Sequence, residues 1–373
     1  MFRSNLSIAF LCTALLIPNA VAWTPIALSL YVDNWGGGNA SDLQLPDGDT
    51  DVYGLRIGLA GAHRRMDGIS ITLAGFDASI LGESSGVAIS LLANTAYETD
   101  VGLLQASSLV NLVEKGGRVF QIAGGGNMAN DSASGFQVAG GINFTSGDFS
   151  GVQVAYLLNW AGGDMAGVQF YAGGNVALGD LAGFQLLGTY NKAENVTGGQ
   201  IGLVNQAYGD LDGIQLPGVW NKAKHVAGGQ IGLLSIASGL SGFQIGAINL
   251  GGDGRGMQVG ALNGAEPDGG LLQIGALNIA DGSGAGATWQ LGAVNYAGIV
   301  GSVFQIGILN LAGGDNFHPN WSYGSCVQIG VLNLCGGWGS SAETIVQIGL
   351  LNGVDPRAED SRFPVLPLLR VRF

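Results

Sequence analysis

The chain has 373 residues, of which only 11% are charged and 67 are glycine, and its formal net charge is −13 at pH 7. This composition is too apolar for a disordered chain and lacks the every-third-residue glycine of collagen, and the acidic balance argues against a nucleic acid partner. Three cysteines in a chain of this length exclude a disulfide-rich scaffold.

The first 22 residues have the layout of a secretory signal peptide. A basic residue, Arg3, precedes an apolar run over 6–17, and the Ala-Val-Ala at 20–22 matches a cleavage motif. The apolar run is about half of the roughly 20 residues that a membrane-spanning helix needs, so an uncleaved anchor is the less favoured alternative. We expect 1–22 to be removed on export and 23–373 to form a single β-repeat domain.

Most of the remaining chain repeats one pattern, Gln-x-Gly-x-x-Asn with apolar residues between. Degenerate copies begin near residue 55, and no linker divides the array. Successive Gln residues lie 14 to 23 positions apart, most often 15 or 16. The marker residues are Gln121, Gln137, Gln153, Gln169, Gln185, Gln200, Gln215, Gln230, Gln244, Gln258, Gln273, Gln290, Gln305, Gln328 and Gln347.

Within each copy the apolar residues alternate with a period of two, which predicts β-strands. Phe184 and Leu186, for example, flank Gln185, and Gly-Asp pairs between copies indicate turns. Gln and Asn share a strand face where they are six residues apart but not where they are five apart. Either a bulge restores the parity or Asn belongs to the turn, and we favour the turn because Asn tolerates positive φ.

Two all-β architectures fit this unit. A repeat-built antiparallel transmembrane β-barrel with short turns needs strands of roughly 9 to 11 residues, which with their turns match the spacing. A parallel β-solenoid of about 15 residues per coil is the alternative. We favour the barrel because a solenoid would expose an apolar exterior to water, and because hairpins tolerate variable turn lengths more readily. The recurrence of Gln at one point of every unit favours the solenoid, since stacked amides form ladders.

The C-terminal segment alternates as a final barrel strand would. Leu369, Val371 and the terminal Phe373 share one face, and Arg370 and Arg372 lie on the other. This ending resembles the strand by which bacterial outer-membrane barrels are recognised for insertion. It predicts two partners, membrane lipid and the outer-membrane insertion machinery.

Several stretches together resemble the bacterial surface-repeat proteins first noted in Leptospira. They are 24–30, 51–59, the Gly-x-Gln-Ile-Gly-x-x-Asn copies and 363–368, so the resemblance spans nearly all of 23–373. It implies an exported surface or outer-membrane protein and no particular activity.

The sequence offers no catalytic, cofactor-binding or metal-binding constellation. His63, His225 and His318 each lie beside a turn-like segment, where solvated loop histidines are expected. The acidic run 47–51 lacks the glycine and the final glutamate of an EF-hand, which favours a solvated loop. We therefore predict a protein that is not an enzyme and has no cofactor.

Two further features near the C-terminus bear on structure and partners. If Cys326 and Cys335 lie on one straight strand, their sulfurs are about 30 Å apart, so a disulfide between them would count against that strand. The long insertion between Gln305 and Gln328 carries three aromatic residues that are candidate partner contacts or a membrane girdle: Phe317, Trp321 and Tyr323.

These observations predict a non-enzymatic bacterial outer-membrane or surface protein, structural or a passive pore. The alternative is a surface-exposed β-solenoid that acts as an adhesin or binding module. The repeat does not specify an external ligand.

Overall fold

The computed structural model describes residues 23–29, 44–45, 51–59, 61–73, 75–79, 84–170, 173–216, 218–282, 286–298, 301–313, 323–336, 342–354 and 365–372. Every regular element among them is a β-strand, which confirms the all-β class. The strands are β1 (Trp23–Ser29), β2 (Gln44–Leu45), β3 (Asp51–Gly58), β4 (Gly61–His63), β5 (Arg65–Thr72), β6 (Phe76–Ser79), β7 (Ser85–Ser90), β8 (Ala93–Ala96), β9 (Thr99–Ser107), β10 (Val110–Val113), β11 (Gly117–Ala123), β12 (Gly126–Ala129), β13 (Ala133–Ala139), β14 (Ile142–Thr145), β15 (Phe149–Ala155), β16 (Leu158–Ala161), β17 (Met165–Phe170), β18 (Gly174–Ala177), β19 (Leu181–Ala193), β20 (Val196–Ala207), β21 (Asp210–Leu216), β22 (Trp220–Val226), β23 (Gly229–Leu240), β24 (Phe243–Ala280), β25 (Ala287–Ala297), β26 (Ser302–Ala312), β27 (Tyr323–Cys335), β28 (Ala342–Val354) and β29 (Val365–Arg372).

Successive repeats stack in parallel with identical residues side by side. Gln121 pairs with Gln137, and Gln305 with Gln328. Among the described pairings only β1–β2 and β28–β29 are antiparallel. The predicted antiparallel barrel is therefore wrong, and the alternative, a parallel β-solenoid with one repeat per coil, is the observed fold. In-register stacking places each amide against an identical amide, which an antiparallel hairpin array cannot do.

Each coil turns a corner between its Gln and its Asn. In the earlier coils the corner separates two strands, such as β15 and β16, whereas later strands such as β26 continue through it. We call this bend the corner. Both amides therefore point into the coil, together with small residues such as Ala161 and an apolar residue four positions before Gln, such as Met165.

The Asn residues are interior residues, which corrects their assignment to the turn. Asn191 and Asn205 are both fully buried, although Asn191 follows its Gln by six residues and Asn205 by five. Where these two coils pair, the register shifts between Leu186 and Gly188. A bulge at the corner thus takes up the extra residue and restores the parity.

Variable repeat length does not disturb the stack. Gln305 and Gln328 are 23 residues apart, yet their strands β26 and β27 pair in register through both amide positions. The additional residues lie between strands, in the segment 314–322 outside the described residues. The expectation that drifting turn lengths count against stacked coils is therefore wrong.

A column of glycines with positive φ runs through the earlier coils. Gly135, Gly151, Gly167 and Gly183 have φ between 120° and 142° and pair with one another in successive coils. A Cβ on Gly167 would collide with the carbonyl oxygen of Gly151. Glycine is required here both for the backbone conformation and for the close approach of coils.

The straight-strand expectation for the two C-terminal cysteines is also wrong. Cys326 and Cys335 are bonded, and their Cα atoms lie 6.8 Å apart. Both are fully buried, because the corner between Gln328 and Asn333 brings the two ends of the segment together inside the coil.

The last strand, β29, lies antiparallel on β28 and ends the stack. Arg370 is buried and lies opposite Gln347, whereas Leu369 and Val371 are exposed at 57% and 45%. The predicted alternation along this strand is confirmed for these three residues. Phe373 lies outside the described residues, and the role of this strand as an insertion signal stays a prediction.

Candidate functional site

Two ladders of side-chain amides fill the interior. Each Gln from Gln121 to Gln347 donates from Nε2 to the Gln Oε1 of the preceding coil, at 2.7 to 2.9 Å, down to Gln105. The Asn residues donate in the opposite direction, from Nδ2 to Oδ1 of the following coil, as Asn127 does to Asn143 at 2.9 Å. The two ladders thus have opposed amide dipoles.

In many coils the ladder amide also donates to the backbone. Asn127 donates to the carbonyl of Val138 at 2.8 Å, and Gln185 donates to that of Lys192 at 2.9 Å. These bonds satisfy buried polar groups that would otherwise destabilise the fold by about 1–3 kcal/mol each. Through the coils that the structure describes, hydrogen-bonded amides therefore lie beside the apolar residues in the interior.

Among the coils that the structure describes, the Asn ladder is interrupted at one coil. Ser235 takes the Asn position between Asn221 and Asn249 and is fully buried. Its hydroxyl is too short to bridge the coils, and Ser235 Oγ and Asn249 Oδ1 have no hydrogen-bond partner. The Gln ladder continues unbroken past this coil, from Gln244 to Gln230 at 2.9 Å.

The outward side chains near each Gln and around each corner form an apolar ridge along the solenoid. It consists of the residues on either side of Gln, the corner residues and the outward residue just before Asn. Its exposed members are Leu109, Phe120, Ile122, Ile142, Tyr156, Leu157, Phe170, Phe184, Leu187, Leu203, Val219, Leu233, Ile245, Ile248, Ile274, Trp289, Leu291, Ile306, Ile308, Ile329, Val331, Ile348, Leu350 and Leu351. Isolated exposed hydrophobic residues are ordinary, but exposed apolar residues that recur at equivalent positions of many coils indicate an interaction site.

Charge is confined to the segment of each coil between the Asn position and the next Gln, which we call the polar part. From Gln105 to Asn352, no Asp, Glu, Lys or Arg stands between any Gln and the residue at the Asn position of the same coil. The charged residues all fall between that position and the next Gln, as Asp164 and Lys222 do. The solenoid is therefore amphipathic along its whole length.

The polar part of the early coils carries a turn ladder of its own. Asp148 Oδ1 accepts from the backbone N–H of Asp164 at 2.8 Å, and Asp164 Oδ1 accepts from that of Asp180 at 2.8 Å. Asn195 continues the pattern by accepting from the N–H of Asp210 at 2.8 Å. These side chains are exposed and stabilise the turns between coils.

A buried polar cluster replaces the amides in the N-terminal coils. Arg56 donates to Ser70 Oγ at 2.9 Å, to Thr72 Oγ1 at 3.1 Å and to Asp77 Oδ1 at 2.8 Å. By strand register Arg56 lies in the Gln column and Asp77 in the Asn column. An ion pair thus occupies the positions that later coils fill with amides.

His63 belongs to this cluster, so its assignment to a solvated loop is wrong. It is 3% exposed, and its Nδ1 lies 3.5 Å from Asp77 Oδ1 without a hydrogen-bond partner. Burial lowers the pKa of His63, the Asp77 carboxylate opposes that shift, and the Arg56 guanidinium adds to it. The buried position thus favours the neutral form of His63.

The other histidines and the acidic run 47–51 are also predicted to be solvated, and the structure confirms this for only one of the residues it describes. His225 is exposed, as predicted, and its Nδ1 lies 2.7 Å from Asp210 Oδ1. Asp51, expected in a solvated loop, is buried and accepts two hydrogen bonds from Arg64, at 2.8 and 2.6 Å, which lower the pKa of its carboxyl group. His318 and residues 47–50 lie outside the described residues.

The three insertion aromatics fall largely outside the described part of the chain. Phe317 and Trp321 lie there, and Tyr323 is the first residue of β27, where only its backbone is described. Their role as partner contacts or a girdle stays a prediction. The residues on either side of Gln in this ridge are those that the barrel prediction would place against lipid.

No protein-family model, no curated protein and no solved structure matches the chain. Within the described ranges no group of three or more His, Cys, Asp or Glu is placed to hold a metal ion. Among those same residues, no helix has the length and hydropathy to span a membrane. The resemblance to the Leptospira surface-repeat proteins therefore remains an expectation from the repeat motif.

Proposed function

We propose that the protein is a non-enzymatic β-solenoid binding module of the bacterial surface, which makes its contacts through the apolar ridge. The observation that carries this proposal is the segregation of charge, because every charged side chain of the repeat array is kept out of the segment between Gln and Asn. Folding alone does not require this, since outward positions of a solenoid accept charge freely, as the polar part of each coil does.

The interior favours a binding role over a passive pore. The repeated Gln and Asn side chains hydrogen-bond to one another, so they neither line a channel nor reach a ligand. A contact surface would then be external, and the ridge is the part of the exterior where exposed apolar residues recur from coil to coil.

Binding through the ridge can be tested without an identified partner. The full-length protein isolated after export is applied to a phenyl matrix in low salt, beside a variant with three ridge charges, Leu233→Glu, Ile308→Glu and Leu350→Glu. A control variant carries three charges on exposed positions of the polar part: Ser150→Glu, Thr197→Glu and Ala287→Glu. We expect the wild type and the control to be retained and the ridge variant to flow through. Flow-through of the wild type would refute a ridge-mediated binding role.

The surface location has its own test. Antibodies against the exposed turn ladder around Asp164 and Asp180 should label intact cells that export the protein. Labelling only after the cells are permeabilised would contradict a surface location.

A further inference from the structure

The apolar ridge is convex, and this shape distinguishes its possible partners. Its most exposed members are corner residues, with Leu233 at 61% and Ile308 and Leu350 at 62% exposure. Residues next to Gln, such as Ile245 and Leu291, are only 37% exposed because they lie within the sheet. The apolar surface therefore covers one face, continues round an edge and extends onto the next face.

A second copy of the chain would not cover this surface. Two solenoids packed face to face would bury the sheet residues next to Gln but would leave the projecting corners in water. A fluid hydrocarbon phase surrounds a convex edge and covers both faces and the corner together. No charged residue lies between Gln and Asn to oppose such insertion.

The length of the ridge determines how the solenoid axis would be oriented relative to a membrane. Fifteen successive Gln–Gln hydrogen bonds join Gln105 to Gln347. At about 4.8 Å per parallel strand this gives a ridge of about 70 Å. The hydrocarbon core of a bilayer is about 30 Å thick, so a ridge that is apolar over its full length fits along the membrane and not across it.

We propose that the apolar ridge inserts into the interfacial layer of a phospholipid bilayer, with the solenoid axis parallel to the membrane plane and the polar part of each coil in water. This deepens the proposed function and rests on it. Because the protein carries a net charge of −13, attraction to anionic headgroups does not contribute, and binding depends on apolar burial. It should therefore occur on zwitterionic lipid and resist high salt.

Vesicle flotation tests the proposal with the same three proteins as the phenyl matrix. We expect the wild type and the polar-part control to float with phosphatidylcholine vesicles in low salt and in about 1 M salt, where charge interactions are screened. The ridge variant should bind at least about tenfold more weakly, because each introduced carboxylate must stay in water. Equal flotation of the ridge variant, or release of the wild type by salt, would overturn the proposal.

Fluorescence quenching of the wild-type protein tests insertion even if the ridge variant misfolds. Vesicles brominated in the acyl chains should quench part of the tryptophan fluorescence, and the Trp289→Phe variant should lose part of that quenched component, since Trp289 is a ridge residue at 48% exposure. Absence of quenching would overturn insertion.

The outcomes separate the two proposals. Retention on the phenyl matrix without vesicle binding, together with a wild-type dimer that the ridge charges dissociate, would overturn lipid insertion in favour of self-association and leave the binding module intact. Failure of both assays would refute both.

Discussion

Replacing Ser235 by Asn should repair the one break in the Asn ladder. The substituted amide would accept from Asn221 Nδ2 and donate to Asn249 Oδ1, which has no partner in the native chain. The surrounding motif is that of an ordinary coil, because Gln230 and Gly232 precede Ser235 at the same spacings as in the next coil, where Asn249 fits. Space for the larger side chain is therefore expected.

The size of the effect follows from the two hydrogen bonds gained. A net contribution of about 0.5–1.5 kcal/mol for each bond gives a stabilisation of about 1–3 kcal/mol. Equilibrium urea denaturation followed by far-UV circular dichroism measures it as a higher midpoint at an unchanged slope. Hydrogen exchange should slow most in the strands that flank the repaired coil.

Two control variants make the measurement specific. Ser235→Ala removes the unpaired hydroxyl but leaves Asn249 Oδ1 without a donor, so it should be less stable than Ser235→Asn. Asn263→Ser introduces the same break into an intact part of the ladder, where Asn249 now donates to Asn263 at 2.9 Å. It should destabilise by about the amount that Ser235→Asn gains. If Ser235→Asn is no more stable than Ser235→Ala, the reasoning from ladder continuity is refuted.

Three further predictions concern backbone, disulfide and pH. Gly167→Ala should destabilise by at least about 2 kcal/mol because of its φ of 133° and the carbonyl oxygen in contact, whereas Gly270→Ala, which meets no close atom, should change urea stability little. Reducing the Cys326–Cys335 bond should lower the free energy of unfolding by about 2–3 kcal/mol, as loop closure over a separation of 9 residues implies, measured with and without a thiol reductant. Because the pKa of buried His63 is lowered, the unfolded chain binds more protons below pH 6.5, so stability should fall as pH drops through that value; a His63→Gln variant should lose this slope, and an unchanged slope would contradict the assignment.

Much of the fold follows from the sequence. The alternation around residues such as Gln185 correctly places the amide inside and Phe184 outside, and this assignment of faces is common to a barrel and a solenoid. The pattern does not specify whether the next repeat returns parallel or antiparallel, because both arrangements use the same period of two. The recurring Gln was the informative signal, since only parallel stacking brings identical amides together in every coil.

Two of the errors, on the cysteines and on the Asn residues, have one physical origin, the corner between Gln and Asn. Read as a straight strand, this segment placed Cys326 and Cys335 far apart and moved Asn into a turn. Because the chain bends there, the bend alone takes up an extra residue. Gln–Asn separations of five and of six residues therefore both keep the two amides inside the coil. The buried cluster of Arg56, His63 and Asp77 gave no sequence signal, because its members are brought together only by the stacking of coils.

The central claim, that repeats stack as coils of a linear solenoid, is tested most directly by distances between spin labels. Labels on Phe120→Cys and Phe184→Cys lie four coils apart, and labels on Phe120→Cys and Trp289→Cys lie eleven coils apart. At about 4.8 Å per coil, pulsed electron paramagnetic resonance should give about 19 Å and about 53 Å. A second distance that fails to grow in proportion to coil number would mean that the repeats close on themselves, and it would contradict the linear stack.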